Sequence, residues 1–372
     1  MGFFEILGLF VFIYPLYMSI TWMIGGLLFS MRREKGAVPD LKHHPFFSII
    51  VPAHDEEFVI EETVLTLKDL NYPHYEVIVV NDGSTDRTAE ILDRLAEENA
   101  DWLRIIHLEP NSGKSKAVNA GILVSRGEFL LAIDADCLID KDVLTWMAWH
   151  LIEFPRVGAV TGNPRVRNRT TLLGKIQVGE YSNIIGLIKR TQRILGKVLT
   201  VSGVIAAYRR SAVLDCGLFD SDTVTEDIDI TWKLQKKFWD IRYEPGAIAW
   251  ILVPETIKGL WQQRVRWAQG GVEVLKKHFD IFRDVRYRRI VPVYLEYFTG
   301  ILWAHAFILM VILWAASVLT GLAVEGYNIL FLTEEGKMDA GGFVFASPLY
   351  PRWYGAILGI ACLMEFMDRK ST

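Results

Sequence analysis

Cysteine is scarce in this 372-residue chain, and its scarcity excludes two structural classes. The three cysteines, Cys137, Cys216 and Cys362, lie far apart in the sequence. They show neither the short spacing of a zinc site nor the density of a disulfide framework. Internal repeats and low-complexity tracts are also missing. We therefore expect the main part of the chain in a reducing compartment.

An excess of positive charge is missing as well. The chain carries 40 basic and 44 acidic side chains, which gives a formal net charge of −4. Proteins that bind nucleic acid over a general surface are usually strongly basic. The charge balance therefore predicts no nucleic-acid partner.

Two nucleotide-binding fingerprints are absent. No Gly-x-Gly-x-x-Gly follows the first predicted strand, which argues against a Rossmann dehydrogenase. The segment Gly113-Lys114-Ser115 ends like a P-loop, but Leu108 stands where that loop needs its first glycine. A nucleotide site in this chain must therefore be built in another way.

Apolar residues are abundant, at 51% of the chain, and they concentrate at its two ends. Residues 6–31 and 297–324 carry no charge, and each run exceeds the roughly 20 residues that cross a bilayer. A cleaved signal peptide is the alternative for the first run. It fits poorly, because no basic residue precedes the run and Arg32 and Arg33 follow it. Residues 353–364 are a shorter candidate that would span only marginally or lie in the interface.

Basic residues predict how the chain is oriented in a membrane. Residues 255–290 hold nine basic and four acidic side chains, whereas residues 325–340 hold one basic and four acidic ones. Cytoplasmic flanks are enriched in Lys and Arg, so we expect the middle of the chain in the cytoplasm. The predicted regions are a transmembrane segment at 1–31, a cytoplasmic domain at 43–254, an amphipathic interface region at 255–290 and a C-terminal membrane region at 291–372.

The middle of the chain alternates between short apolar runs and helical patterns. Apolar runs without polar alternation indicate strands buried on both faces, and their alternation with helices indicates a doubly wound, mainly parallel α/β sheet. Strands are predicted at 48–51, 76–80, 103–108 and 130–133, and helices at 56–70, 85–99 and 114–125. The apolar stretch 172–195 is predicted to be core or interface, without a catalytic residue.

Polar residues follow each of the first four predicted strands. The carboxyl ends of strands in open α/β sheets are where ligands bind, so these residues should meet at one edge. Asp134 and Asp136 follow the fourth strand, and paired carboxylates suit Mg²⁺ or Mn²⁺ bridged to substrate phosphates. Two solvated acids in a loop are the alternative. The polar segments are 52–56, 81–86, 111–114 and 134–136.

Two later segments complete the pattern. Thr225-Glu226-Asp227 reads as the start of a helix, with Thr225 as its cap and acids favourable in its first turn. Gln263, Arg266 and Trp267 lie in a segment that reads as an amphipathic helix on a membrane surface.

In this order, the motifs resemble those of processive family-two glycosyltransferases, which include cellulose, chitin and hyaluronan synthases. Finer signals at 160–165, 174–181 and 267–271 are similar to bacterial poly-β-1,6-N-acetylglucosamine synthases. The resemblance implies a GT-A-like transferase domain in a bacterial inner-membrane enzyme. That enzyme would add N-acetylglucosamine from UDP-N-acetylglucosamine, with inversion, to a growing polysaccharide acceptor of a biofilm. The implied partners are the lipid bilayer and a small two-helix membrane subunit.

The resemblance also implies roles for individual residues. Asp227 would be the general base, Asp136 would bind Mg²⁺ or Mn²⁺, and Asp134 would contact the donor or the metal. The donor's diphosphate would pair with Lys114, and its uridine would lie near Asp82 and Glu56. An Asx-type turn is the alternative for Asp82. The remaining substrate-binding residues would be Glu226, Gln263, Arg266 and Trp267.

Other functions remain open at this point. Another β-glycan synthase, a non-processive transferase acting on a lipid phosphate, and a nucleotide-sensing protein with an inactive transferase domain all share some of these motifs. Two departures from the family pattern also matter. Asp55 stands where the first motif usually has Asn, and could weaken nucleotide binding or turn away. Relatives continue through further membrane helices, so either the polymer's path is incomplete in this chain or another chain completes it.

Overall fold

We describe the protein from a computed structural model that covers residues 2–34 and 36–331, with side chains up to residue 320. The predicted third apolar segment at 353–364 and residues 332–340 of the predicted acidic loop lie outside the described residues. The chain divides into two compact units. One comprises the residues up to Met23 and those from Leu295 onward, and the other is Ile24–Tyr294. The four predicted region boundaries stay predictions.

The first unit contains most of the two apolar helices, α1 (Phe3–Arg33) and α11 (Val291–Phe331). Among the described residues, Phe3–Arg33 and Val291–Thr320 are the two stretches long and apolar enough to cross a membrane. Within this unit the Trp303 indole donates a hydrogen bond of 2.9 Å to the carbonyl of Val11. The α11 helix also takes in residues 325–331, which the sequence had placed in a loop.

The second unit is built around one sheet. Its strands are β1 (Phe47–Ala53), β2 (Tyr75–Asp82), β3 (Leu103–Leu108), β4 (Phe129–Ile133), β5 (Leu138–Ile139), β6 (Val157–Val166), β7 (Ile205–Arg209) and β8 (Asp240–Ile251). Its helices are α2 (Ile60–Thr66), α3 (Thr88–Glu98), α4 (Lys114–Val124), α5 (Val143–Glu153), α6 (Leu172–Tyr181), α7 (Lys189–Leu195), α8 (Arg210–Asp215), α9 (Glu226–Lys236) and α10 (Ile257–Lys277).

The sheet has the order β3-β2-β1-β4-β7-β6-β8-β5. Strands β3, β2, β1 and β4 are parallel, as predicted, but β7 runs antiparallel to both β4 and β6. Strand β8 is parallel to β6, and β5 is antiparallel to β8. The predicted α/β fold is confirmed, and the sheet is mixed beyond β4. An apolar run marks a buried strand but not its direction, because direction depends on the path of the connection.

Helices cover both faces of the sheet, which explains the uninterrupted apolar strands. In β1, Ile49 packs on one face in a core cluster with Leu92 and Met147 from helices α3 and α5. Its neighbour Ile50 points to the other face and packs with Val118 from α4. The polar strand ends are therefore held at the rim of a rigid, two-sided core.

The packing of α4 on the sheet leads to a stability prediction. A Cβ atom on Gly121 would lie 2.6 Å from Cγ2 of Ile50 and 3.4 Å from Cγ2 of Val80. Overpacking costs about 1–3 kcal/mol, more than the roughly 0.5–1 kcal/mol that alanine gains over glycine in a helix. Gly121→Ala should therefore lower the midpoint of thermal unfolding of the detergent-solubilised protein, measured by circular dichroism.

The matched control for Gly121→Ala is Gly179→Ala in α6, where a Cβ atom would meet nothing within 4 Å. Its midpoint should stay unchanged or rise. An unchanged midpoint for Gly121→Ala would show that α4 can move away from the sheet without cost.

Candidate active site

The loops after β1 and β2 bind each other at the carboxyl edge of the sheet. Asp55 adopts a left-handed backbone with φ 56°, a conformation that Asp and Asn tolerate better than most residues. Its Oδ1 accepts a 2.7 Å hydrogen bond from the Thr85 N–H, and its own N–H donates to Ser84. Asp55 is therefore turned onto the second loop, as one of the two sequence-based alternatives had it.

Because these two loops bind each other, the helices that follow them begin later than the sequence predicts. The Glu56 N–H donates to Thr88 Oγ1 at 2.8 Å, and the Glu57 N–H donates to Asp86 at 3.1 Å. These contacts use Glu56 and Glu57 on one side and Asp86 and Thr88 on the other, and α2 begins at Ile60 and α3 at Thr88, later than predicted.

Asp82 is almost fully buried and clamps the next loop. Its carboxylate accepts hydrogen bonds from the N–H of Ser112 at 2.9 Å, from the Ser112 hydroxyl at 2.8 Å and from the N–H of Gly113 at 2.7 Å. Its neighbour Gly83 has φ 64°, and a Cβ atom there would lie 2.6 Å from the backbone nitrogen of Asn111. The Asx-type contact in this loop belongs to Asn81, which accepts from the Ser84 N–H at 3.2 Å.

Lys114 joins three elements. It is the first residue of α4, and its Nζ lies 2.5 Å from Oδ1 of Asp134 at the end of β4. The same Nζ lies 3.3 Å from Oε1 of Glu226 at the start of α9 and 3.3 Å from the carbonyl oxygen of Gly203. Burial disfavours the charged ammonium, but the charges of Asp134 and Glu226 outweigh it and raise the pKa of Lys114.

Asp136 is a carboxylate that takes no part in this network. No other described side chain hydrogen-bonds to it, and burial followed by the charge of Asp134 raises its pKa to about 6. Burial, with the charges of Asp136 and Asp134, also raises the pKa of Glu56 to about 7. The end of β4 therefore carries more negative charge than Lys114 neutralises.

This carboxylate surplus fits a divalent cation. In the described part of the chain no three or more His, Cys, Asp or Glu side chains are grouped as a complete metal cage. Mg²⁺ is commonly bound by one or two carboxylates, with its remaining positions filled by substrate phosphates and water. Asp136, with Asp134 beside it, is a donor set of this kind.

Asp227 lies in the first turn of α9, as predicted. Its Oδ2 accepts from the Gly203 N–H at 3.2 Å and its Oδ1 from the Ile228 N–H at 2.9 Å. Burial and the adjacent Glu226 raise its pKa to about 6, while Lys114 and Lys189 oppose the rise.

Thr225 precedes this turn but does not cap it, contrary to the prediction. Its hydroxyl is buried and has no hydrogen-bond partner in the part of the chain that the structure describes. A Cβ atom on Gly270 of α10 would collide with the Thr225 side chain. The Thr225 side chain therefore packs against α10, and this contact brings α10, which carries Gln263, Arg266 and Trp267, against the start of α9.

The segment 263–267 of α10 is held in place by Arg264, which the sequence analysis did not select. The Arg264 guanidinium pairs with Glu180 of α6 at 2.6 Å and lies 4.2 Å from the centre of the Trp267 ring. Trp267 is half-buried, Arg266 is exposed, and the side-chain oxygen of Gln263 is buried without a partner among the described residues. The structure brings the helix to the site but pairs none of the three with its carboxylates.

Lys189 is the main residue that sequence reasoning missed. Only 3% of it is exposed, and its Nζ donates a 3.0 Å hydrogen bond to Thr161 Oγ1, which also accepts from the Ser202 N–H. Burial lowers the pKa of Lys189 to about 7, although the negative charge of Asp227 acts in the opposite direction. A π-helix, Ser182–Ile188, immediately precedes it, and such segments are frequent at functional sites. The sequence signal that could have identified Lys189 is its position within the apolar stretch 172–195.

Comparison with known proteins agrees with this geometry. Residues 48–217 match the family model described as Glycosyl transferase family 2. The poly-beta-1,6-N-acetyl-D-glucosamine synthase of Staphylococcus aureus (strain COL) is 41% identical over 309 residues, covering 81% of this chain and 74% of that protein. The synthase of the same name from Staphylococcus epidermidis is 40% identical over 302 residues, covering 80% and 73%.

A solved structure shares the fold. The mannosyltransferase PcManGT from Pyrobaculum calidifontis, in complex with GDP-Man and Mn²⁺, superimposes with a TM-score of 0.64 at 20% identity, covering 96% of this chain and 98% of that one. This likeness confirms the GT-A-like fold, and the sequence relatives confirm the resemblance. The chain belongs to glycosyl transferase family 2, and within it is similar to the poly-beta-1,6-N-acetyl-D-glucosamine synthases.

Proposed function

We propose that the protein is a membrane-bound inverting glycosyltransferase. It would polymerise N-acetylglucosamine from UDP-N-acetylglucosamine into a β-1,6-linked exopolysaccharide of a biofilm. The observation that carries the proposal is the cluster in which Lys114 joins Asp134 to Glu226, with Asp136 and Asp227 on either side. The synthases that are 40–41% identical over most of the chain support the choice of sugar.

The donor side of the site would hold a nucleotide diphosphate. Asp136, with Asp134 beside it, would bind Mg²⁺ or Mn²⁺, and the cation would neutralise charge that develops on the leaving diphosphate. Lys114 would exchange part of its contact with Asp134 for a phosphate oxygen. Asp82 would act by holding the loop at 111–113 against the uridine, because its carboxylate already accepts three hydrogen bonds from that loop. Glu56 would lie nearby.

The acceptor side would supply the base. Asp227 would take the proton from an acceptor hydroxyl as that oxygen attacks the anomeric carbon and the bond to the diphosphate breaks. One displacement inverts the anomeric carbon, so an α-linked donor gives a β-linked product and free UDP. Trp267 would offer its ring to the terminal sugar. Glu226, Gln263 and Arg266 would complete the contacts to the acceptor and the diphosphate.

We also propose that the enzyme spans the bacterial inner membrane several times, with the transferase domain in the cytoplasm. Two apolar helices of spanning length and the basic residues at 255–290 support this orientation. The resemblance supports a small two-helix membrane subunit as a partner. Polymer made by the purified chain in sealed vesicles, with and without that subunit, would test its role.

The first test measures the transfer reaction and the role of Asp227 as its general base. Membranes containing the protein should convert labelled UDP-N-acetylglucosamine into a long, β-1,6-linked polymer, resolved by gel and linkage analysis. Asp227→Asn should lower the transfer rate by about 10²- to 10⁴-fold, the usual contribution of a general base. Its affinity for UDP, measured by calorimetry, should be nearly unchanged, because Asp227 contacts the acceptor.

The control for Asp227→Asn is Asp222→Asn, an exposed carboxylate before the same helix, which should transfer at the wild-type rate. Near-normal turnover of Asp227→Asn would refute the assignment of the base. Short lipid-linked products would instead identify a non-processive transferase.

The second test concerns the cation. Excess chelator should abolish transfer, and Mg²⁺ or Mn²⁺ should restore it. Asp136→Ala should lose activity and should also lose the Mn²⁺-dependent increase in UDP affinity, since its carboxylate is a proposed ligand. Asp101→Ala, an exposed carboxylate after α3, should behave like wild type. Full wild-type activity in chelator would contradict the metal site.

The third test uses the pH dependence of kcat/KM. A base must be deprotonated, so activity should rise as the pH passes upward through the Asp227 pKa of about 6. The groups that face Asp227 are Glu226, Lys114, Lys189 and Tyr208. Removing the positive charge of Lys189 by Lys189→Met should move this midpoint upward. The move should be smaller than the roughly one to three units of a directly paired cation.

Lys189→Arg is the control, because it keeps a positive charge and should keep the midpoint near that of wild type. If Lys189→Met lowers the rate at every pH without moving the midpoint, Lys189 supports packing alone and does not tune the base.

A further inference from the structure

A second charged site lies at the opposite edge of the sheet. Strand β6 runs in the same direction as β4, because both are antiparallel to β7, and β8 is parallel to β6. The carboxylates follow the carboxyl end of β4, whereas Arg156 precedes β6 and Asp240 begins β8. A pocket at these amino ends is lined by Arg156, Lys197, Arg286 and Arg289 around Asp240, and we name it the basic pocket.

The basic pocket has more positive charge than its acids neutralise. Arg286 pairs with Asp284 at 2.6 Å, and Arg156 donates to the carbonyl of Phe238 at 3.2 Å. Lys197 and Arg289 form no ion pair with any residue that the structure describes. Burial lowers the pKa of Lys197, and the charges of Arg289 and Arg156 lower it further against the attraction of Asp240.

Further arginines outside the lining interact with residues of the basic pocket, because the charge of Arg193 acts on Lys197 and that of Asp240 acts on Arg242. Arg33, Arg193 and Arg242 interact electrostatically with one another, and burial with the charges of Arg193 and Arg33 lowers the pKa of Arg242 to about 10. The Arg242 guanidinium lies 3.5 Å from the centre of the Phe154 ring, and its Nε is buried without a hydrogen-bond partner among the described residues. The chain as a whole is acidic, so this excess is local.

The usual enrichment of basic residues beside membrane-spanning helices does not account for this group of basic side chains. Basic residues that flank spanning helices are expected to be solvated. Arg33 at the end of α1 and Arg289 just before α11 are flanking residues, but Lys197 follows α7 and Arg242 lies within β8. The basic side chains that line the pocket come from separated segments, at 156, 197, 286 and 289, and Lys197 is partly desolvated by its burial there. Such an arrangement is costly without an anion to complete it.

We propose that the basic pocket binds a phosphate-bearing anion, supplied by the headgroup of an anionic phospholipid. Guanidinium groups match the geometry of phosphate oxygens, and Lys197 adds a compact charge. Arg289 of the basic pocket lies two residues before α11, a helix of spanning length, so the chain itself keeps this residue near the bilayer surface in the proposed orientation. Free phosphate is the other source of the same chemistry, and the experiment separates the two.

The test uses the full chain in detergent micelles. Phosphatidylglycerol or phosphatidylcholine is added, and lipid retention is measured by native mass spectrometry. Phosphatidylglycerol should bind preferentially, and the double variant Lys197→Gln, Arg289→Gln should weaken its binding by roughly tenfold to thirtyfold, the loss expected for two basic contacts. Lys141→Gln with Lys175→Gln, two exposed lysines elsewhere, should bind like wild type.

Two further measurements make the outcome decisive. UDP affinity should be the same in wild type and the Lys197/Arg289 variant, which shows that the variant is folded. Millimolar inorganic phosphate should not displace the lipid. If phosphate alone saturates the basic pocket and removes the preference for phosphatidylglycerol, the lipid assignment is wrong. If the folded variant retains both lipids as wild type does, there is no anion site.

Discussion

The ammonium group of Lys114 is the interaction on which the site depends. It draws the end of β4 and the start of α9 onto the first turn of α4 through Asp134 and Glu226. A partly buried lysine is stable only when opposite charges surround it, because desolvation penalises an unpaired charge heavily. The same two acids would repel each other, and Asp227 next to them, without this cation. Lys114 therefore holds the end of β4, with the proposed metal ligands, close to Asp227, the proposed base.

Charge is distributed unevenly across the transferase unit. The carboxyl edge of the sheet gathers Glu56, Asp136 and Asp227, all with pKa values raised by burial and by neighbouring acids. Two lysines offset part of this charge. A divalent cation bound at the end of β4, as we propose, would offset more of it. At the opposite edge the basic pocket has the reverse imbalance, so the two ends of one sheet favour ligands of different kinds.

The loops around the site are held by one another rather than by helices. Asp55 binds the loop after β2, and Asp82 binds the loop at 111–113. Both acids stand at positions where nucleotide contact is the simplest expectation. Their hydrogen bonds show that they first build the surface on which a nucleotide would lie. An Asp in place of Asn at position 55 is compatible with this role, because the bond to the Thr85 N–H needs only an acceptor oxygen.

Much of the protein follows from local sequence. Unbroken apolar runs produce strands buried on both faces, and polar residues after those runs come together because parallel strands end at one edge. That logic placed Asp82, Lys114, Asp134 and Asp136 together, and the acids of α9 follow from helix-terminus chemistry. Only the tertiary structure decided the reversed direction of β7, the packing of Thr225 against Gly270, the late start of α2, and the place of Lys189 behind Asp227. Each of these depends on contacts between segments far apart in the chain, where shape and charge outweigh local propensity.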